Sequence, residues 1–181
     1  MNSSRRQFLG VLGFTIGTSA LFTTVGFVPP SKKLIRPPGA INEREFLSKC
    51  ILCHQCIDIC PEGSLRAAHI NEGIIHSGTP VIYKTCTVCL DCIKTCPTGA
   101  LDSSTTEDSA KMGTAVVYEP CTGCNVCIHV CKFNAITAID GEASVDIDID
   151  KCNGCYACVE VCPIKGAIEV IPCEERYRGE V

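Results

Sequence analysis

The sequence predicts an α+β fold of two tandem modules, each built from short hairpins and short helices, after an N-terminal helix. Four observations carry this expectation. The pattern C-x-x-C-x-x-C-x-x-x-C occurs four times: Cys50-Cys53-Cys56-Cys60, Cys86-Cys89-Cys92-Cys96, Cys121-Cys124-Cys127-Cys131 and Cys152-Cys155-Cys158-Cys162. The copies step by 36, 35 and 31 residues, and a repeat of that length is one supersecondary unit. The chain of 181 residues has no Trp and 6% aromatics, and its 46% hydrophobic content is inflated by 17 cysteines. Few large side chains remain for an ordinary core. Finally, two short apolar stretches flank Asp140-Gly141, the signature of a hairpin.

Sixteen of the cysteines fall in these repeats, leaving Cys173 over. The spacing is that of the cubane iron–sulfur runs of bacterial-type ferredoxins, in which three thiolates hold one [4Fe–4S] cluster and the fourth reaches the neighbouring cluster. All sixteen are therefore candidate ligands to the iron of four [4Fe–4S] clusters. Two residues between cysteines let a loop curl over a cubane with backbone N–H groups facing it. Glycine helps where backbone comes close; Gly123 and Gly154 supply it in copies three and four, whereas Leu52 and Val88 hold that place in copies one and two and should shield their clusters differently. The x3 step suits a helical turn, with apolar neighbours such as Ile57, Ile93, Val130 and Val159 excluding water. Pro61, Pro97 and Pro163 end that turn by removing an N–H donor, and Lys132 replaces the proline in copy three. Zinc knuckles separate their C-x-x-C pairs by a longer loop, and a disulfide scaffold needs an oxidising compartment, so both fit less well. Clusters that organise the fold imply a largely unfolded apo-protein.

In chain order, residues 1–30 read as a twin-arginine export signal: Ser4-Arg5-Arg6-Gln7-Phe8-Leu9 precedes an uncharged run from Gly10 to Pro30. Clusters are inserted in the cytoplasm, so an exported cluster protein must cross the membrane folded, which this route permits. No A-x-A-like cleavage site closes the run. The 18 residues Val11–Val28 lie at the short end of what spans a bilayer, so a cleaved signal and a retained membrane anchor both stand. Residues 31–49 read as a stiff basic Pro-rich linker near the membrane surface (Lys32-Lys33, Arg36-Pro37-Pro38-Gly39) ending in a short helix over Ile41–Lys49. Residues 50–102 form the first two-cluster module, the less regular one, and 103–113 a connector, polar over Ser103–Lys111.

Residues 114–172 form the second module. Its outer strand pair is expected over Thr114–Tyr118 and Ala167–Ile171, its inner pair over Ala135–Ile139 and Ser144–Asp150. In the last of these, Val145, Ile147 and Ile149 alternate with Asp146, Asp148 and Asp150, the period of a half-buried strand. Residues 173–181 are a tail. The hairpin between copies three and four favours tandem pairing, in which Cys162 joins Cys121, Cys124 and Cys127 while Cys131 joins Cys152, Cys155 and Cys158. Cys96 then joins Cys50, Cys53 and Cys56, and Cys60 joins Cys86, Cys89 and Cys92. A nested pairing, with copies two and three inside one and four, is the alternative.

The formal charge is −4, and four anionic clusters take the loaded protein to about −12, which argues against nucleic acid as a partner. There is no GxGxxG, Walker loop or C-x-x-C-H, and no acid/base pair or nucleophile, so no nucleotide, flavin, haem or substrate site is expected. His54 lies within the first cluster loop and reads as solvent-facing; His69, His76 and His129 read as structural, Cys173 as a buried free thiol, and the three aspartates as a solvated face.

The chain resembles the periplasmic NapG/MauM-type ferredoxins. The likeness rests on the twin-arginine start, on Arg36-Pro37-Pro38-Gly39-Ala40-Ile41-Asn42-Glu43, on the four motifs in order, on Cys96-Pro97-Thr98-Gly99-Ala100-Leu101, and on Lys111-Met112-Gly113. The resemblance implies a quinol dehydrogenase module, in which a polytopic membrane partner oxidises quinol and this subunit passes electrons to a periplasmic acceptor, a cytochrome c or a reductase. It places the chain on the periplasmic side of the inner membrane. The competing expectation is the iron–sulfur subunit of a larger oxidoreductase such as a molybdenum enzyme, whose clusters pair in the nested way. A structural or regulatory metal-binding module is a third reading, disfavoured by four complete ligand sets.

Overall fold

The second module follows from its strand pattern and its turn. In the computed structural model, which describes residues 32–174, β3 (Gly113–Val117) pairs antiparallel with β6 (Ile168–Pro172), and β4 (Ile136–Ala138) with β5 (Val145–Ile147). The twin-arginine segment and apolar run of residues 1–30, with the N-terminal helix expected there, lie outside the described residues, as does the end of the tail. The β4–β5 turn closes with Glu142 N–H donating to Ile139 O at 3.3 Å, and Gly141 takes φ +84° at its third position, where glycine is favoured. Ala115, Ile136, Val145 and Ile168 form the core with Cys127 and Cys158. The strand expected to run to Asp150 stops at Ile147. Asp148 ends it, because Oδ1 accepts from Asp150 N at 3.0 Å and Lys151 N at 3.4 Å, a local bond that competes with the ladder. Ile149 is consequently 62% exposed.

The first module repeats this plan with changes. Its inner hairpin pairs β1 (Leu65–Ala67) with β2 (Pro80–Ile82), and two 3₁₀ turns, Ile70–Glu72 and Ile74–His76, fill the connection. The outer pair shrinks to one antiparallel bridge, Ala40 with Leu101, supported by Asp102 N–H donating to Gly39 O at 2.6 Å. Phe46, Ile93, Leu101 and Met112 are among its buried core residues. Each cysteine repeat carries one short helix besides α1 (Glu43–Lys49): α2 (Gln55–Asp58), α3 (Asp91–Thr95), α4 (Val126–Val130) and α5 (Ala157–Val161). Helices α3, α4 and α5 stop at the fourth cysteine, which takes an extended ψ of 112°, 99° and 119°. Lys132 follows the middle one, so proline is not needed for the stop.

The stretch expected as a basic linker is instead the edge of the first module. Leu34, Ile35, Arg36 and Ala40 are buried. Arg36 Nε donates to both carboxylate oxygens of Glu43 at 3.0 Å, and Nη2 also contacts that carboxylate. Nη1 donates to Thr79 Oγ1 at 2.7 Å and to Pro80 O at 3.1 Å, and the guanidinium lies 4.8 Å from the centre of the Phe46 ring. His76 Nδ1, 3.1 Å from Nη2, must accept, since a guanidinium can only donate. The connector is likewise anchored at its end, with Ala110 and Met112 buried.

The described residues 32–174 belong to one unit. The modules join where Cys86 N–H donates to Cys155 O at 2.9 Å and Thr85 Oγ1 to Glu160 Oε2 at 2.6 Å. Met112 N–H and Gly113 N–H both reach Asn153 O, at 2.9 and 3.3 Å. Among the described residues no helix is long and apolar enough to cross a membrane.

Candidate functional site

The fold gathers the sixteen cysteines into four sets. Cys50, Cys53, Cys56 and Cys96 line one cavity (group one), and Cys60, Cys86, Cys89 and Cys92 a second (group two). Cys121, Cys124, Cys127 and Cys162 line a third (group three), and Cys131, Cys152, Cys155 and Cys158 a fourth (group four). This grouping is tandem, not nested: no set mixes the first two copies with the last two. None of the seventeen cysteines is in a disulfide. Among the described residues no three His, Cys, Asp or Glu side chains converge on a point suited to a single metal ion. Each set instead rings a space, as a four-iron cube requires with one thiolate per corner.

The loops carry a second signature. The residue before the second cysteine is left-handed in every copy: Leu52 (φ +57°), Val88 (+59°), Gly123 (+63°) and Gly154 (+75°). So is the residue after it: His54 (+61°), Leu90 (+62°), Asn125 (+61°) and Tyr156 (+69°). A non-glycine residue there costs about 1–2 kcal/mol, and a β-branched one such as Val88 is a marked outlier. Alternating handedness turns successive N–H groups toward one side and forms an anion-binding concavity. A cubane with four thiolates is such an anion, so the strain and the ligands point to the same occupant. Backing, more than backbone shape, separates the copies. A Cβ on Gly154 would lie 2.7 Å from Gly113 N and C, and one on Gly123 2.9 Å from Ala143 C. Val88 instead buries its side chain in the first core.

Burial holds the thiols of Cys56, Cys92 and Cys158 up at about 12 and Cys86 at about 11, and repulsion from neighbouring thiolates adds to this. Burial also raises Cys96, but N–H groups of Leu101, Thr98 and Ala100 with the Thr98 hydroxyl outweigh it, and the net shift is downward. Backbone N–H groups also reach sulfur from Ser64 to Cys60 at 3.3 Å, from Ala135 to Cys131 at 3.4 Å, and from Ala115 to Cys152 at 3.4 Å. The deep thiols must give up protons to bind iron, so loading releases acid and is favoured by rising pH.

His54 is exposed, yet its Nε2 lies 2.9 Å from Gly78 O, so it ties the first loop to the β1–β2 connection. His76 is buried in the Arg36 network and His129 exposed. Cys173 is half-buried rather than buried. Asp146 is exposed, and Asp148 pairs with Lys151 at 2.9 Å. Asn153 is the residue that sequence reasoning missed. It lines the fourth cavity with both polar side-chain atoms unbonded, but an asparagine between cysteines reads simply as a turn residue.

Comparison with known proteins agrees with this geometry. Residues 115–170 match a 4Fe-4S dicluster domain family, and residues 49–100 and 85–135 each match a second 4Fe-4S dicluster domain family. The chain is 36% identical over 83 residues to ferredoxin-type protein NapG of Escherichia coli, covering 43% of this chain and 36% of that protein. It is 38% identical over 68 residues to the methylamine utilization ferredoxin-type protein MauM of Paracoccus denitrificans, covering 38% and 28%. Against MauM of Methylorubrum extorquens the identity is 39% over 75 residues, covering 38% and 34%. The matches thus span about a third of the length of each curated relative.

Proposed function

The chain belongs to the NapG/MauM-type ferredoxin family, and from that premise we propose that it relays electrons through four [4Fe–4S] clusters between a membrane quinol-oxidising partner and a periplasmic acceptor. It is an iron–sulfur electron-transfer protein built on tandem 4Fe–4S dicluster domains. The observation that carries the finer reading is the set of four complete cysteine tetrads, with the two modules linked by the Cys86–Cys155 hydrogen bond between groups two and four. Each tetrad holds one cluster; the clusters supply one-electron chemistry, and the chain supplies ligands, N–H donors and shielding. The tandem sets favour this reading over the subunit of a molybdenum enzyme, for which nested pairing is the expectation.

Two further features support the membrane side of the proposal. Arg5-Arg6 and the uncharged run after them suit twin-arginine export with the run cleaved or kept as an anchor. The two adjoining 3₁₀ turns of the first module present Ile70, Ile74 and Ile75, each more than 60% exposed. A patch of that kind marks a contact surface, and the polytopic quinol-oxidising partner is its proposed occupant. Lys32 N–H donates to Glu72 O of the first of these turns at 3.2 Å.

Anaerobic purification from membranes, followed by iron and acid-labile sulfide analysis, tests the proposal. About 16 of each per chain are expected, with the protein on the periplasmic face and retained in the cytoplasm when Arg5 and Arg6 are both replaced by lysine. Iron near half that value would remove the four-cluster relay. Export that is indifferent to the arginines would remove the periplasmic assignment.

A further inference from the structure

Group four contains a polar side chain that ligation alone does not use. Asn153 stands between Cys152 and Gly154, is 7% exposed, and lines the cavity ringed by Cys131, Cys152, Cys155 and Cys158. Its Nδ2 and Oδ1 are both buried with no hydrogen-bond partner among the protein atoms. Leaving such a group unbonded forfeits its hydration with nothing in return, a loss that protein interiors rarely carry without a reason. The backbone holds it in place. Asn153 O accepts from Met112 N–H at 2.9 Å and Gly113 N–H at 3.3 Å, and a Cβ on Gly154 would meet Gly113 at 2.7 Å. The side chain therefore stays with the cavity. The corresponding residues of the other loops are Ile51, Thr87 and Thr122, none of which carries an amide.

We propose that Asn153 donates its side-chain N–H to the sulfur of the cluster held by group four and thereby strengthens that cluster's hold on an electron. The inference rests on group four being a [4Fe–4S] site. Reduction adds one negative charge to the cluster, so a donor aimed at sulfur stabilises the reduced form more than the oxidised form; hydrogen bonds to sulfur are among the determinants of cluster potential. The electron comes from an adjacent cluster and passes to the next one, and Asn153 neither gains nor loses a proton. It is a positioning residue that acts through the cluster.

The test is a redox titration of the full chain, purified anaerobically and followed by EPR, for the unmodified protein, Asn153→Leu and Asn153→Asp. Leucine keeps the volume and removes the donor; aspartate keeps the shape, removes the donor and adds negative charge. In Asn153→Leu one of the four reduction equilibria is expected to weaken about tenfold, which for one electron is about 59 mV. Asn153→Asp should weaken it further, with the other three midpoints and the iron content unchanged. Four unmoved midpoints at full iron content overturn the proposal. Loss of the group-four iron in both variants overturns it too, because the amide would then be holding the loop rather than tuning the cluster. An unmodified chain without iron overturns this inference and the relay together, whereas unmoved midpoints leave the relay standing.

Discussion

Arg36 is a full charge removed from water, and what surrounds it explains why it is tolerated. Glu43 supplies the countercharge, while Thr79 Oγ1 and Pro80 O take further guanidinium hydrogens. Removing one member of a buried pair strands the other charge and costs about 3–5 kcal/mol, whereas replacing both with apolar groups is often close to neutral. Glu43→Ala is therefore expected to lower the melting temperature of the loaded protein sharply, and Arg36→Met combined with Glu43→Leu to restore much of it. A double variant that loses the sum of the two single losses would show that the two side chains contribute separately. None of this was legible in the sequence. Lys32, Lys33, Arg36, Pro37 and Pro38 have the composition of a solvated spacer, and the partner seven residues on is recognisable only once α1 and the β1–β2 connection enclose it. The cysteines were legible because ligand geometry is local, so spacing alone constrains where the thiols stand.

At the scale of the loop and the strand, the legible parts were those with a period or a turn residue. Alternation around Asp140-Gly141 located the inner hairpin, and the outer pair formed within a residue of its expected bounds. The left-handed residues were legible only where they are glycine. Leu52, Val88, Leu90 and Tyr156 carry no such signal, and they adopt the conformation because the loop as a whole requires it. Two glycine substitutions separate backbone strain from close approach. Gly99 has φ +68°, and a methyl added there would meet nothing within 4 Å, so Gly99→Ala should cost about 1 kcal/mol and leave iron content intact. Gly154→Ala places its methyl 2.7 Å from the backbone of Gly113, and backbone cannot move aside as a side-chain tip can. It is expected to displace the fourth loop and reduce iron to about 12 per chain. Full iron in Gly154→Ala would mean that the loop has slack which the close Gly113 contact does not suggest.

Across the whole molecule the four sites follow an order that differs from the order of the cysteine repeats. Within each module the fourth cysteines cross over, so group one adjoins group two and group three adjoins group four. Between modules the contact is made by groups two and four, through Cys86 N–H and Cys155 O at 2.9 Å and through Thr85 and Glu160 beside them. Electrons are therefore expected to pass one, two, four, three, with group one, lined by the exposed Ile51, at one end and group three at the other. Removing single sites tests this, with magnetic coupling between reduced clusters as the readout. Cys127→Ser, which removes group three, should leave three clusters coupled in a row. Cys158→Ser, which removes group four, should leave a coupled pair and one magnetically isolated cluster, with iron near 12 per chain in both variants. Transfer in the order of the repeats requires the reverse: loss of group four would leave the unbroken trio, and loss of group three would isolate a cluster. That pattern would place the junction between groups two and three, and the Cys86–Cys155 bond would then be a structural contact with no part in the path.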